Sequence, residues 1–227
     1  TGTSTTVTLI DDNIYEENET IGVAIDTVSG GGASENGNQE SSLDTIVENE
    51  SVPAISLSVS SNSVAENTGT VTITATTSVQ WPNTTEMSID IQNPSGTGSG
   101  TDYNLSNGCC IPFPGGQSSA SVTFTPVNDS FYEGNETLTF SINSINVSSG
   151  GFGGRDAVIA GGSQSETITI VDDETIGSIS LSASASSTAE NGSNITITAS
   201  LTTPSEEDVV VNLSAGGTAT NGTDYAT

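Results

Sequence analysis

The sequence predicts an all-β protein made of antiparallel β-sandwiches in tandem. Three observations predict it: a strict period-two alternation, turn-forming clusters between the alternating stretches, and a long-range repeat. Ile55, Leu57 and Val59 alternate with serines, and Val71, Ile73 and Ala75 alternate with threonines. The same pattern returns at Met87, Ile89 and Ile91, at Val122 and Phe124, at Leu138, Phe140 and Ile142, and at Ile168 and Ile170. Successive side chains of a strand point to opposite faces, so each set lies on one half-buried face. Gly, Asn and Ser clusters separate the sets, as turns require. No stretch carries a helical period. About six or seven short strands in about 120 residues is the signature of a two-sheet sandwich.

The chain repeats itself with a period of about 120 residues. Ser63-Val64-Ala65-Glu66-Asn67 returns as Ser187-Thr188-Ala189-Glu190-Asn191, and Gly100-Thr101-Asp102-Tyr103 returns as Gly222-Thr223-Asp224-Tyr225. Asp12, Tyr15, Glu16, Asn18 and Glu19 reappear as Asp129, Tyr132, Glu133, Asn135 and Glu136. Residues 53–174 form one complete unit. Residues 1–52 match only the second half of a unit, and residues 175–227 only the first half. Thr1 aligns near Ser118 and Thr227 near Leu105, so both ends fall in the loop that contains Cys109, Cys110 and Pro112-Phe113-Pro114.

Composition narrows the function classes. The 227 residues include 28 Asp plus Glu, no His and one basic residue, Arg155, for a formal charge of −27. Such a surface repels nucleic-acid phosphates and anionic lipid, and it attracts cations. Acidity with few aromatics also suits disorder, but the alternation argues for a folded chain. No apolar run approaches the roughly 20 residues a bilayer span needs, and the sequence carries no signal-peptide pattern. The two Cys are adjacent, which is no zinc-ligand spacing. A vicinal disulfide, bonds to other chains and two buried thiols remain open. Eleven Asn-X-Ser/Thr sequons, including Asn18, Asn83, Asn146 and Asn212, are compatible with surface glycosylation. Together these features point to an extracellular or cell-surface setting.

Acidic residues recur at fixed places in the unit. Glu66 and Glu190 follow the first strand, and Asp102 sits in the Gly-Thr-Asp-Tyr turn. Asp129, Glu133 and Glu136 fall in the mid-unit loop Asn128–Glu136, and Asp172, Asp173 and Glu174 close the unit. In a sandwich, loops from alternate strand ends gather at one pole. Two carboxylates 4 Å apart repel by about 1 kcal/mol in water and about 4 kcal/mol at an effective dielectric near 20. A cluster of five or more calls for a cation, and calcium accepts about six to eight oxygens in flexible geometry.

These four motifs together resemble the Calx-beta domain, over nearly the whole chain. The resemblance implies an immunoglobulin-like sandwich with calcium at one pole, near the junction with the next domain. It also implies calcium ligands at Glu66, Asp102, Asp129, Glu133, Glu136, Asp172, Asp173 and Glu174. The matching positions outside the complete unit are Asp11, Asp12, Glu16, Glu19, Glu190 and Asp224. Two departures stand out. The first unit ends Val47-Glu48-Asn49-Glu50 rather than Asp-Asp-Glu, which predicts a weaker site there. Asn128 stands where a second Asp is frequent.

The junctions Ser51-Val52-Pro53 and Thr175-Ile176-Gly177 are short, so the closing acids of one unit lie near the next. The reading is a calcium-stiffened structural repeat of a filament or surface stalk. Copies of the chain or adjacent repeats are its partners, and the two halves are able to complete one another by strand addition. The alternative is an adhesin or receptor segment that holds a glycan or protein through Trp81-Pro82 or the Cys109–Gly116 loop. An enzyme is not expected. With no His and no Lys there is no usual general base, and a Ser-His-Asp triad is impossible.

Overall fold

The computed structural model describes residues 2, 4–34, 41–82, 85–98, 101–148, 157–162 and 164–226. Thr1, Asn83, Gly100, Arg155 and Thr227 lie outside the described residues. The first segment forms an antiparallel pair, β1 (Glu19–Ala24) and β2 (Ser41–Ile46). The central segment carries β3 (Ala54–Val59), β4 (Ser63–Ala65), β5 (Val71–Thr77), β6 (Met87–Asp90), β7 (Ser95–Gly96), β8 (Tyr103–Leu105) and β9 (Cys110–Phe113). It continues with β10 (Ser119–Pro126), β11 (Glu136–Ser141), β12 (Ser144–Val147), β13 (Val158–Ile159) and β14 (Ser165–Val171). The last segment forms a second antiparallel pair, β15 (Ile179–Ala183) and β16 (Ile197–Leu201).

Two layers make the central sandwich. One is a five-stranded sheet in the order β13-β3-β5-β10-β8. The other combines β4-β14-β11-β7 with β12-β6-β9. Leu138 pairs with Gly96 and Ser144 with Asp90, in one unbroken register, so β11–β12 and β7–β6 form a single ladder with a gap. Asn143 spans the gap: its N–H donates to the Asp90 carbonyl, and its side-chain amide donates to the Gln92 carbonyl.

The alternating residues of the sequence fill the space between the layers. Ile55, Val71, Ile73, Ala75 and Phe124 from one sheet meet Ile89, Ile111, Leu138, Phe140 and Ile168 from the other, all essentially without exposure. Phe124 and Phe140 pack edge to face at 5.8 Å across the interior, and Tyr103 stacks on Phe124 at 5.3 Å. Cys109 and Cys110 form a vicinal disulfide at the start of β9.

Strand direction determines where the acids fall. The chain leaves the first sheet after β3 and crosses to the second, where β4 pairs in parallel with β14. Parallel neighbours end at the same pole. Strand β11 runs antiparallel to β14 and therefore begins there. In the other layer β8 begins where β10 ends, since Tyr103 pairs with Pro126 and the Val127 N–H donates to the Asp102 carbonyl at 2.8 Å. Residues just after β4, β10 and β14, and just before or at the start of β8 and β11, thus share one end of the sandwich.

Candidate metal centre

The candidate acidic residues of the central segment occupy those positions, and six of them form two groups. Glu66, Asp172 and Glu174 offer one oxygen each within 4.8 Å of one another, and so do Asp102, Glu133 and Glu136. Backbone groups hold the first group in place. Glu66 is only 5% exposed, its N–H donates to the Val171 carbonyl, and its Oε1 accepts the Asp129 N–H at 2.9 Å. Asp172 Oδ1 accepts the Glu174 N–H at 2.9 Å, and Oδ2 accepts the N–H groups of Glu133 and Gly134. Gly134 turns at φ +74°, a conformation L side chains rarely adopt, which aims its N–H at Asp172.

The electrostatics are those of a site short of positive charge. Burial pushes the Glu136 carboxyl up to about 7, helped by the charge of Asp102 and a hydrogen bond to it. Burial pushes Glu133 up to about 7 as well, reinforced by the charges of Asp129, Glu206, Asp102 and Glu136. Glu66 is raised by burial, opposed by the Asp129 N–H and aided by the charges of Asp129, Asp172 and Asp173. Asp172 goes the other way: burial would raise it, but the N–H groups of Glu174, Gly134 and Glu133 hold it below the ordinary carboxylate range. Lys and His occur nowhere in the sequence, so neither can offset these charges.

Asp129 and Asp173 stand beside the two groups and support them. Asp129 Oδ1 accepts the Phe131 N–H at 2.7 Å, which shapes the mid-unit loop, and Asp173 Oδ2 accepts the Asn67 side-chain amide at 2.6 Å. In the last segment Glu190 and Asp224 line one open cavity. In the first segment Asp11, Asp12, Glu16 and Glu19 line a pocket together with Glu48 and Glu50.

In the first segment a Glu stands where the central segment has Asp172. Glu48 accepts the N–H groups of Glu16 and Glu50, the counterparts of Glu133 and Glu174, and so takes the place of Asp172. Backbone hydrogen bonds outweigh burial and hold its carboxyl low. Asn18 Oδ1 accepts the Glu48 N–H at 2.9 Å. The longer Glu side chain reaches the same donors, so Glu48 and Glu50 join the candidate residues. A search for the Asp-Asp-Glu ending passes over both. Trp81 contributes packing: it is 0% exposed and donates its indole N–H to the Thr85 carbonyl at 2.7 Å.

Glu136 Oε2 and Glu174 Oε2 are buried without a hydrogen-bond partner, one in each group. An orphaned buried carboxylate oxygen costs free energy unless something positive meets it. The donor sets contain only oxygen, which suits a hard cation and not zinc. Flexible, carboxylate-rich geometry of this kind fits calcium.

Fold and pole together define a class: a tandem β-sandwich protein with an oxygen-donor cation site at one end of the sandwich. Three consecutive segments, residues 2–50, 48–174 and 172–227, match the model of the Calx-beta domain. The chain belongs to the Calx-beta domain family, whose members are calcium-binding, non-catalytic β-sandwich repeats. Among solved structures it is similar to the crystal structure of the apo-form Calx CBD1 domain, with 16% identity over 54% of this chain and 99% of that one, at a TM-score of 0.37. No curated protein matches. No helix among the described residues is long and apolar enough to cross a membrane.

Proposed function

We propose that this chain is a calcium-binding structural segment of an extracellular filament or surface stalk. The observation that carries the reading is the pair of buried, partnerless oxygens, Glu136 Oε2 and Glu174 Oε2, each inside a carboxylate triad. Glu66, Asp172 and Glu174 would hold one ion, and Asp102, Glu133 and Glu136 another. The cation supplies the positive charge that lets these groups ionise side by side at neutral pH. Because the triads tie β4, β8, β11 and β14 to the mid-unit loop, bound calcium stiffens the pole that faces the following segment.

The flanking segments support an array-like or polymeric parent. Leu57 is 5% exposed in the central sandwich, whereas its counterpart Leu181 is 57% exposed. Phe140 is 0% exposed, whereas its counterpart Val23 is 47% exposed. Each flank is one half of a sandwich with an open apolar face, and the strands each lacks are those the other carries. A complementary half, from an adjoining repeat or a second copy, closes each face head to tail. The same pairing brings Glu190 to Glu48 and Glu50, and Asp224 to Glu16 and Glu19, which rebuilds both triads.

Calorimetric titration with calcium tests the metal reading. The expected result is binding at the roughly 0.1–1 mM affinity of extracellular modules or tighter, with Glu174→Gln and Glu136→Gln each removing a different class of site. A flat titration would sink the proposal.

A further inference from the structure

We propose that Glu206, from the segment that follows the central sandwich, completes the Asp102–Glu133–Glu136 group, so that one cation bridges two units. This rests on the calcium reading above. The Tyr132 N–H donates to the Pro204 carbonyl at 2.8 Å, and Tyr132 pairs with Ser205 in a parallel bridge. In a parallel bridge the next residue on each chain lies abreast of the other. Those residues are Glu133 and Glu206. The charge of Glu206 acts on Glu136 as well as on Glu133.

Among the described residues no basic side chain accounts for bringing a fourth carboxylate to that place. The Tyr132–Pro204 bond holds it there. Within the last segment Gly177 packs against Thr203, so closely that an added Cβ would lie 2.6 Å from its carbonyl oxygen, which fixes the stretch leading to Glu206. A backbone bridge that sets Glu206 abreast of Glu133, beside a group in which Glu136 Oε2 is partnerless, puts an exposed carboxylate where a shared cation could draw it in.

The other junction provides a contrast. There Ile14 pairs with Gln80 in the same parallel sense. Aligning β5 with β16 places Trp81 and Pro82 where Ser205 and Glu206 stand, so no carboxylate occupies the matching position beside Glu16. The metal bridge therefore belongs to the second junction and not the first.

The test uses the full 227-residue chain, with calcium alone as the probe. Residual dipolar couplings report whether neighbouring segments tumble as one body, and calcium titration reports affinity. Calcium is expected to bring the central and last segments to one alignment tensor. Glu206→Gln is expected to abolish that shared alignment and to weaken one class of site about tenfold, leaving the Glu66–Asp172–Glu174 class unchanged. Glu207→Gln, at the neighbouring and equally exposed position, is expected to behave as the unsubstituted chain. Unchanged affinity and alignment in Glu206→Gln would overturn the bridge while leaving calcium binding intact. Absence of calcium binding by the unsubstituted chain would remove the bridge and the functional reading together.

Discussion

Glu48 and Asp172 perform the same task in different segments. Each receives the backbone N–H two residues ahead of itself, from Glu50 and Glu174 respectively, and each receives an N–H from the mid-unit loop, from Glu16 and Glu133. The shared geometry explains how a carboxylate stays ionised within an acidic pole. Peptide dipoles stabilise it before any cation arrives.

Replacing Asp172 with Asn should therefore damage more than a metal ligand. The side chain loses its charge, and an amide that lands towards Glu133 and Gly134 meets donors with a donor. Hydrogen bonds to a charged group are each worth about 1.5–3 kcal/mol, so stability without calcium should fall by about that amount or more. Denaturant unfolding in chelator measures it.

Glu136→Gln should change sign with conditions. Without calcium it removes a repelling, partly buried charge and raises the melting temperature. With calcium it removes a ligand and lowers the melting temperature relative to the unsubstituted chain. Paired melts in chelator and in calcium check both halves, and a uniform shift would show that Glu136 is not a ligand.

The pH dependence follows from the raised carboxyls. Glu133 and Glu136 titrate near 7 in the metal-free fold and near 4.3 when unfolded. Between those values the folded state binds more protons than the unfolded state, so stability falls as pH rises. The metal-free chain should melt higher at pH 5 than at pH 7.5, by several degrees. Calcium competes with the protons, so saturating calcium should flatten or reverse the slope.

The open faces make a separate prediction. Leu181 is exposed on β15, where a charge does not disturb the central core. The chain should associate end to end as concentration rises, and Leu181→Glu should hold it monomeric in sedimentation velocity. Monomers at every concentration would contradict pairing between the flanks of separate copies.

Much of this architecture was legible in the sequence, because period two and a long repeat are one-dimensional signals. Ile55, Ile73, Phe124, Phe140 and Ile168 sit in the core for that reason. The acidic positions were legible as a set, but their division into two triads was not, since it depends on which strands end together. Asp129 and Asp173 carry the acidic motif but stand beside the two triads, each accepting with one oxygen a hydrogen bond from Phe131 or Asn67. Glu206 has no repeat partner and no motif, and only the Tyr132–Ser205 bridge reveals its neighbours.

Thermal melting of the full chain with calcium and with chelator tests the central claim most directly. Calcium at ten times its dissociation constant should stabilise each occupied site by about 1.4 kcal/mol, which appears as a melting temperature several degrees higher at neutral pH. A melting temperature that ignores both calcium and chelator would contradict the account.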